Sequence, residues 1–255
     1  LFGDSKKDTN KNKIISEKAK GLIENNNIDI EDLPGKIISE KIIKNYLIKK
    51  NNFEVTYDFK PEELIIFGLG GHANMCIDIL EKNSEYKLVG YIDDKPNAKN
   101  IHGLKYFGSI ENIDDLIVQG LKNLIIGIGF INNLKNREKV FSKLSSKLNI
   151  PTIKHDSAII EPSVSIGVGC QIMAGAIIGS NVIINDNCII NSGAIISHDS
   201  YIDSCTHITP GACIAGNVKL GKRVTVGMCS TIYINSKVAD DVVIKNNESV
   251  LNDRN

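Results

Sequence analysis

The stretch IISHDSYIDSCTHITPGA, residues 195–212, holds two of the chain's five histidines, His198 and His207, nine residues apart. Imidazole is the side chain that changes charge near neutral pH, so the pair points to proton transfer or to metal ligation. A second group lies upstream, where GLGGH (68–72) places Gly68, Gly70, Gly71 and His72 directly behind the apolar run LIIF (64–67). Glycines at a strand-to-helix turn let backbone N–H groups close on a phosphate at the helix N-terminus. Asp93 and Asp94 end the run YKLVGYIDD (86–94), and acids at the end of a second strand suit a ribose or a base. A zinc site would need a third histidine near the pair; His155 precedes the segment, and the six cysteines form no C-x-x-C pair. No metal is expected.

These residues need elements to position them. From Ile160 to Ile244, every sixth residue is Ile, Leu or Val, fifteen positions without a slip. The position four after each anchor is small or β-branched, as in Cys170, Ala176, Val182 and Cys188. A helix needs a period near 3.6 and an isolated strand a period of 2. A period of six predicts a hexapeptide parallel β-helix, three hexapeptides to a triangular coil, with the anchors stacked inside. Five coils at strand spacing make a prism roughly 24 Å tall. On this frame Cys170 and Cys188 stack as small core fillers, and the cysteines are reduced thiols. The plain structural alternative makes His198 and His207 polar corner residues of the coil.

Ahead of the repeat, the strand at 64–67, a helix opened by His72, the strand at 86–94, the strand NLIIGIG (123–129) and a helix around 133–148 alternate as in a small parallel sheet. Gly127 and Gly129 end its third strand. The glycine turn departs from G-x-G-x-x-G, which disfavours a nicotinamide cofactor; a tight turn without a ligand is the plain alternative. Residues 15–47 read helix, turn, helix, with stripes of Ala19, Leu22 and Ile23, then Ile38, Ile42, Ile43 and Leu47. The expected order is a polar tail (1–13), a small helical domain (14–49), a linker (50–61), a Rossmann-like domain (62–155) and the β-helix (156–255).

Thirty basic and thirty acidic residues cancel, which argues against a broad nucleic-acid or membrane footprint. No apolar run is long enough to span a bilayer. A cytoplasmic protein is expected, and the initial Leu suggests a piece of a longer polypeptide.

The order strand–GLGGH–helix, YIDD, GIG, then hexapeptides with SHDS and THITPGACIAGNVKLG resembles the bacterial left-handed β-helix sugar acetyltransferases over about residues 62–250. These include sialic-acid O-acetyltransferases and N-acetyltransferases of UDP-linked 4-amino-4,6-dideoxy sugars. IDIEDLPGKIISEKIIKNYL, within 15–47, resembles a peripheral-subunit-binding domain, which implies a protein partner for 14–49.

The resemblance implies direct acetyl transfer from acetyl-coenzyme A to a sugar amine, with no metal, in a homotrimer whose sites lie between prisms. His198 matches the general base, Asp199 the acid that orients it, and His207 a second histidine contacting acceptor or cofactor. The Gly216 N–H matches an oxyanion donor. Gly68, Gly70, Gly71, His72, Asp93, Asp94, Lys95, Gly127 and Gly129 match the residues that take the nucleotide-sugar. Where members often carry a glycine-rich turn that contacts the cofactor, this chain has Lys245, Asn246 and Asn247. Two other functions remain open: O-acetylation of a sialic or related nonulosonic acid, and a trimeric scaffold that docks a partner enzyme through its N-terminal helices.

Overall fold

A computed structural model of the chain describes residues 13–26, 28–33, 35–43, 46, 57–82, 85–94, 103–129 and 134–255. The chain divides into two compact units, Leu1–Tyr57 and Asp58–Asn255.

In the first unit, Ser16 caps helix α1 (Glu17–Asn25) by accepting a hydrogen bond from Ala19 N–H at 3.3 Å. Ile14–Ile15 (β1) pairs in parallel with Ile37–Ile38 (β2). Ala19, Ile23, Ile28, Leu33, Ile38 and Ile43 form a small core. The second apolar stripe is therefore not one helix: Ile37–Ile38 is extended, and helical bonding starts only at Ser39, whose carbonyl accepts from Ile42 and Ile43. Leu47 lies outside the described residues.

The second unit opens with a four-stranded parallel sheet, order β5-β4-β3-β6, made of β3 (Glu63–Phe67), β4 (Lys87–Ile92), β5 (Lys105–Tyr106) and β6 (Asn123–Ile126). Every residue of β3 is buried, as a central parallel strand requires. The connecting helices are α2 (Gly71–Lys82), α3 (Ile113–Val118) and α4 (Leu134–Ser145). The helix expected at 133–148 is thus shorter, with three turn residues before Asn149, whose N–H bonds to Lys122 O.

The remainder is a left-handed parallel β-helix whose two-residue strands stack into sheets of six, six and five. The first face runs from Ile153–Lys154 to Val243–Ile244, the second from Ile159–Ile160 to Ser249–Val250, and the third from Ser165–Ile166 to Lys237–Val238. Ladder partners are eighteen residues apart, such as Ile189 with His207 and Ile195 with Cys213. The prism therefore extends one strand beyond the hydrophobic repeat at each end, because Lys154 and Val250 keep the pairing register of their neighbours. The period-six anchors, Ile172 through Ile244, fill the interior and are at most 3 % exposed. Cys170 and Cys188 lie in the same buried stack, and all six cysteines are free thiols.

The sheet domain sits on the first face. Ile153 and Met173 of the prism share a core with Leu64, Ile66, Ala73, Cys76 and Ile77. Arg223 on the prism clamps α4 through Glu138 at 2.9 Å while holding Asp241 at 2.7 Å.

Candidate functional site

Two centres emerge, on different sides of the prism. The first is a cavity of about 450 Å³ at the end of β3, lined by Gly68, Gly70, Gly71, His72, Asp93, Asp94, Gly127 and Gly129 among others. All the expected pocket residues meet there except Lys95, which lies outside the described residues. Three of the glycines are required, one by its backbone conformation and two by contact. Gly68 has φ +86°, and a Cβ on Gly127 would lie 2.6 Å from Gly68 O. A Cβ on Gly129 would lie 2.5 Å from His72 Cγ. Gly70 and Gly71 differ: both are exposed at the cavity's edge, and nothing lies within 4 Å of a Cβ at either. Gly71 begins α2, so the positive end of that helix borders the cavity and favours an anionic group.

The two acids hold the cavity's wall. Asp93 Oδ2 accepts from Leu69 N–H at 3.0 Å, and Asp94 Oδ1 accepts from Ile110 N–H at 3.3 Å. Arg137, 1 % exposed, donates through Nη1 to Ile126 O and Ile128 O at 3.1 and 2.6 Å, and through Nε to Asn187 O at 3.4 Å. It ties the Gly127–Gly129 loop to the prism.

His72 has a defined tautomer. Gln171 Nε2 donates to Ile126 O at 2.8 Å, so its Oε1 must accept, and His72 Nε2–H donates to it at 2.7 Å. Nδ1 is then the bare nitrogen. Burial holds this imidazole down at about 4, so it is neutral near pH 7. Gln171 was missed from sequence; its one signal is an amide at an outward ladder position among isoleucines.

His207 is also on the first face, 2 % exposed. Asn191 Oδ1 accepts from Ser192 N–H at 2.8 Å, so Asn191 Nδ2 donates to His207 Nε2 at 3.1 Å. Nδ1 therefore carries the proton, and it has no hydrogen-bond partner among the described residues. Burial, with smaller contributions from His72 and Arg137, holds the ring down at about 3.

These two rings make stability pH-dependent. Both are protonated in an unfolded chain below the ordinary 6.5 and neutral in the folded one down to about 4 and 3. Stability is complete above pH 6.5 and falls as pH drops toward those values, by roughly 2 kcal/mol per ring at pH 5. Thermal unfolding between pH 7.5 and 5 should show this acid slope, and His207→Asn should reduce it.

The second centre is the corner where the chain turns from Ile195–Ile196 on the second face to Tyr201–Ile202 on the third. His198 Nδ1 and Asp199 Oδ2 are 2.7 Å apart, with side chains 61 % and 52 % exposed. With Nδ1–H donated to the carboxylate, Nε2 presents a lone pair. The ring lies against the coil above: a Cβ on Gly216 would sit 2.7 Å from its Cε1 and 2.8 Å from its Nε2. A side chain at residue 216 would displace the ring from this position. Asn181, one coil below, donates through Nδ2 to Asp199 Oδ1 at 3.0 Å. The hydrogen bonds from His198 and Asn181 hold the Asp199 carboxyl below its usual range. Such a pair can take a proton from an incoming nucleophile.

The structure does not bring His198 and His207 together. The His198 corner joins the second and third faces, so it stands opposite the first face, which carries His207 and the glycine-lined cavity.

Residues 63–144 match the family model for the PglD N-terminal domain. PerB from Caulobacter crescentus, solved with CoA and GDP-perosamine, is 28 % identical, with a TM-score of 0.71 over 76 % of this chain and 91 % of that one. A mutant of the perosamine N-acetyltransferase from the same organism, in complex with the same two molecules, gives 26 % and 0.72 over the same shares. The acetyltransferase domain of PglB from Neisseria gonorrhoeae, at 22 % identity and TM-score 0.71 over 76 % and 93 %, shares the fold.

Proposed function

We propose that this chain is an acetyl-coenzyme A-dependent N-acetyltransferase of a nucleotide-linked amino sugar. The observation that carries the reading is the His198–Asp199 pair at 2.7 Å, with Nε2 bare beside Gly216. The likeness to PerB and the cavity at the N-terminus of α2 support a nucleoside diphosphate sugar as acceptor.

The chemistry follows. The sugar amine attacks the thioester carbonyl carbon, and His198 Nε2 takes a proton from the amine as the C–N bond forms. The Gly216 N–H stabilises the oxyanion. The C–S bond then breaks, and the departing sulfur takes that proton back from the His198 imidazolium to leave as coenzyme A thiol, which returns His198 to its neutral form. Asp199 stabilises the imidazolium. No acyl-enzyme forms, and no metal or second cofactor takes part.

A site of this kind needs two copies of the chain. Its base stands opposite its own acceptor cavity, so the cavity of one copy takes its base from the next. The second face beside His198 exposes Ile159, Ile177 and Ile195 by 57, 38 and 38 %, an apolar ladder suited to burial between prisms of a homotrimer. In this arrangement His207 belongs with the acceptor side. A UDP sugar is the acceptor the sequence suggests, whereas PerB was solved with a GDP sugar. The test is mass spectrometry on UDP- and GDP-linked amino sugars and free sialic acid with acetyl-coenzyme A. An acetyl mass gain on a nucleotide-linked amine, matched by thiol release, is expected. Acetylation of sialic acid alone would replace the reading with O-acetylation, and no acetylation with a scaffold.

A further inference from the structure

Gly216 packs against the His198 ring, but the Asp199 carboxylate is half open to water, so packing does not fix it. A carboxylate half open to water can swing about two bonds, and the 2.7 Å contact to Nδ1 survives only if its other oxygen is held. One side chain does so. Asn181 stands eighteen residues earlier, at the equivalent corner of the coil below. Its Nδ2–H donates to Asp199 Oδ1 at 3.0 Å, while Oδ2 faces His198. Asn181 is itself anchored, its backbone N–H donating to Ser163 Oγ at 2.9 Å. Both Asn181 and Asp199 have positive φ, 61° and 60°, so they stack with their side chains leaving the corner alike.

We propose that Asn181 is a positioning residue for the base. It holds the Asp199 carboxylate so that Oδ2 keeps the Nδ1–H tautomer of His198 and leaves Nε2 free. The inference rests on the reading of His198 as the base and adds a third residue to that centre.

An asparagine is also a comfortable residue at positive φ, so the test must separate conformation from the amide. Asn181→Gly keeps the backbone conformation and removes the donor. Its kcat should fall about tenfold, with both KM values near wild type. Asn181→Asp replaces the donor with a second carboxylate beside Asp199. The two acids then repel, and a shared proton restores the contact. The ratio of Asn181→Asp to wild-type kcat should therefore rise as pH falls from about 8 to about 6. A purely structural role moves neither the kcat-to-KM split nor this ratio.

Imidazole nitrogen NMR reads the tautomer without turnover: His198 should be the Nδ1–H form in wild type and a mixture in Asn181→Gly. Wild-type kcat and an unchanged tautomer in Asn181→Gly would overturn the proposal, as would a loss confined to thermal stability. His198→Ala, run alongside, keeps the two claims apart. If it is inactive while Asn181→Gly matches wild type, only the positioning role falls. If His198→Ala turns over normally, the base falls and Asn181's role with it.

Discussion

His198→Ala is expected to lower kcat by roughly 10²–10⁴, the worth of a positioned general base. Coenzyme A release in the presence of the nucleotide-sugar measures it. The side chain is 61 % exposed and belongs to no core cluster, so removing it leaves no cavity in the prism. Thermal stability should therefore stay within about 0.5 kcal/mol of wild type. The KM for acceptor should change little, because the cavity proposed to take it is lined by Gly68 to His72, Asp93, Asp94 and Gly127 to Gly129, on the other side of the prism. Loss of kcat with preserved folding and KM is the signature of a group that acts only in the transition state. A rate within tenfold of wild type would remove His198 from the chemistry and leave the pair as corner residues of the coil.

How far the sequence reaches depends on which direction a residue faces. Inward positions were legible because burial between coils tolerates only Ile, Leu or Val there, and that demand repeats every six residues. The corners were legible in part. Positive φ occurs at every sixth residue from Gly169 to Asn247, and the occupants are mostly Gly, Asn or Asp, the residues that accept it most readily. Asp199 therefore suits its corner before any chemistry is considered, which is why residue type alone could not separate a catalytic acid from a turn. Cys205, Arg223 and Cys229 occupy the same conformation without that preference.

Outward positions were the blind spot. Gln171, Ile189 and His207 look like solvent-facing ladder residues, yet each is 2 % exposed or less because the sheet domain covers the first face. The bond between His72 and Gln171 spans ninety-nine residues, and that from Arg137 to Asn187 spans fifty. No local pattern encodes such contacts. The same geometry explains why the two histidines read together in one stretch turn out to face apart: nine residues is one and a half hexapeptides, enough to carry the chain from a corner, along the third face and onto the first.

That separation yields a second large effect, in mixed assemblies. Gly70→Trp should abolish turnover by obstructing the cavity, since Gly70 lines it and a Cβ there meets nothing within 4 Å that would keep the indole out. His198→Ala should abolish it by removing the proposed base. If cavity and base came from one chain, no mixture of the two variants could contain a complete site. If each site joins the cavity of one copy to the base of its neighbour, a His198→Ala chain supplies the cavity and a Gly70→Trp chain supplies the base. In a closed trimer that contains both chains, one junction of the three combines the two intact halves, so about a third of the sites in mixed assemblies are complete. Co-expression with two different affinity tags and tandem purification isolates the mixtures. Their turnover should rise from about 1 % of wild type or less in each parent to the order of a third of wild type. Turnover equal to that of the parents, in assemblies shown to contain both chains, would place the base and cavity in the same subunit. It would then require the sheet domain to leave the first face, against the shared core of Ile153 and Met173 with Leu64, Ile66 and Cys76 and the Arg137 bond to Asn187.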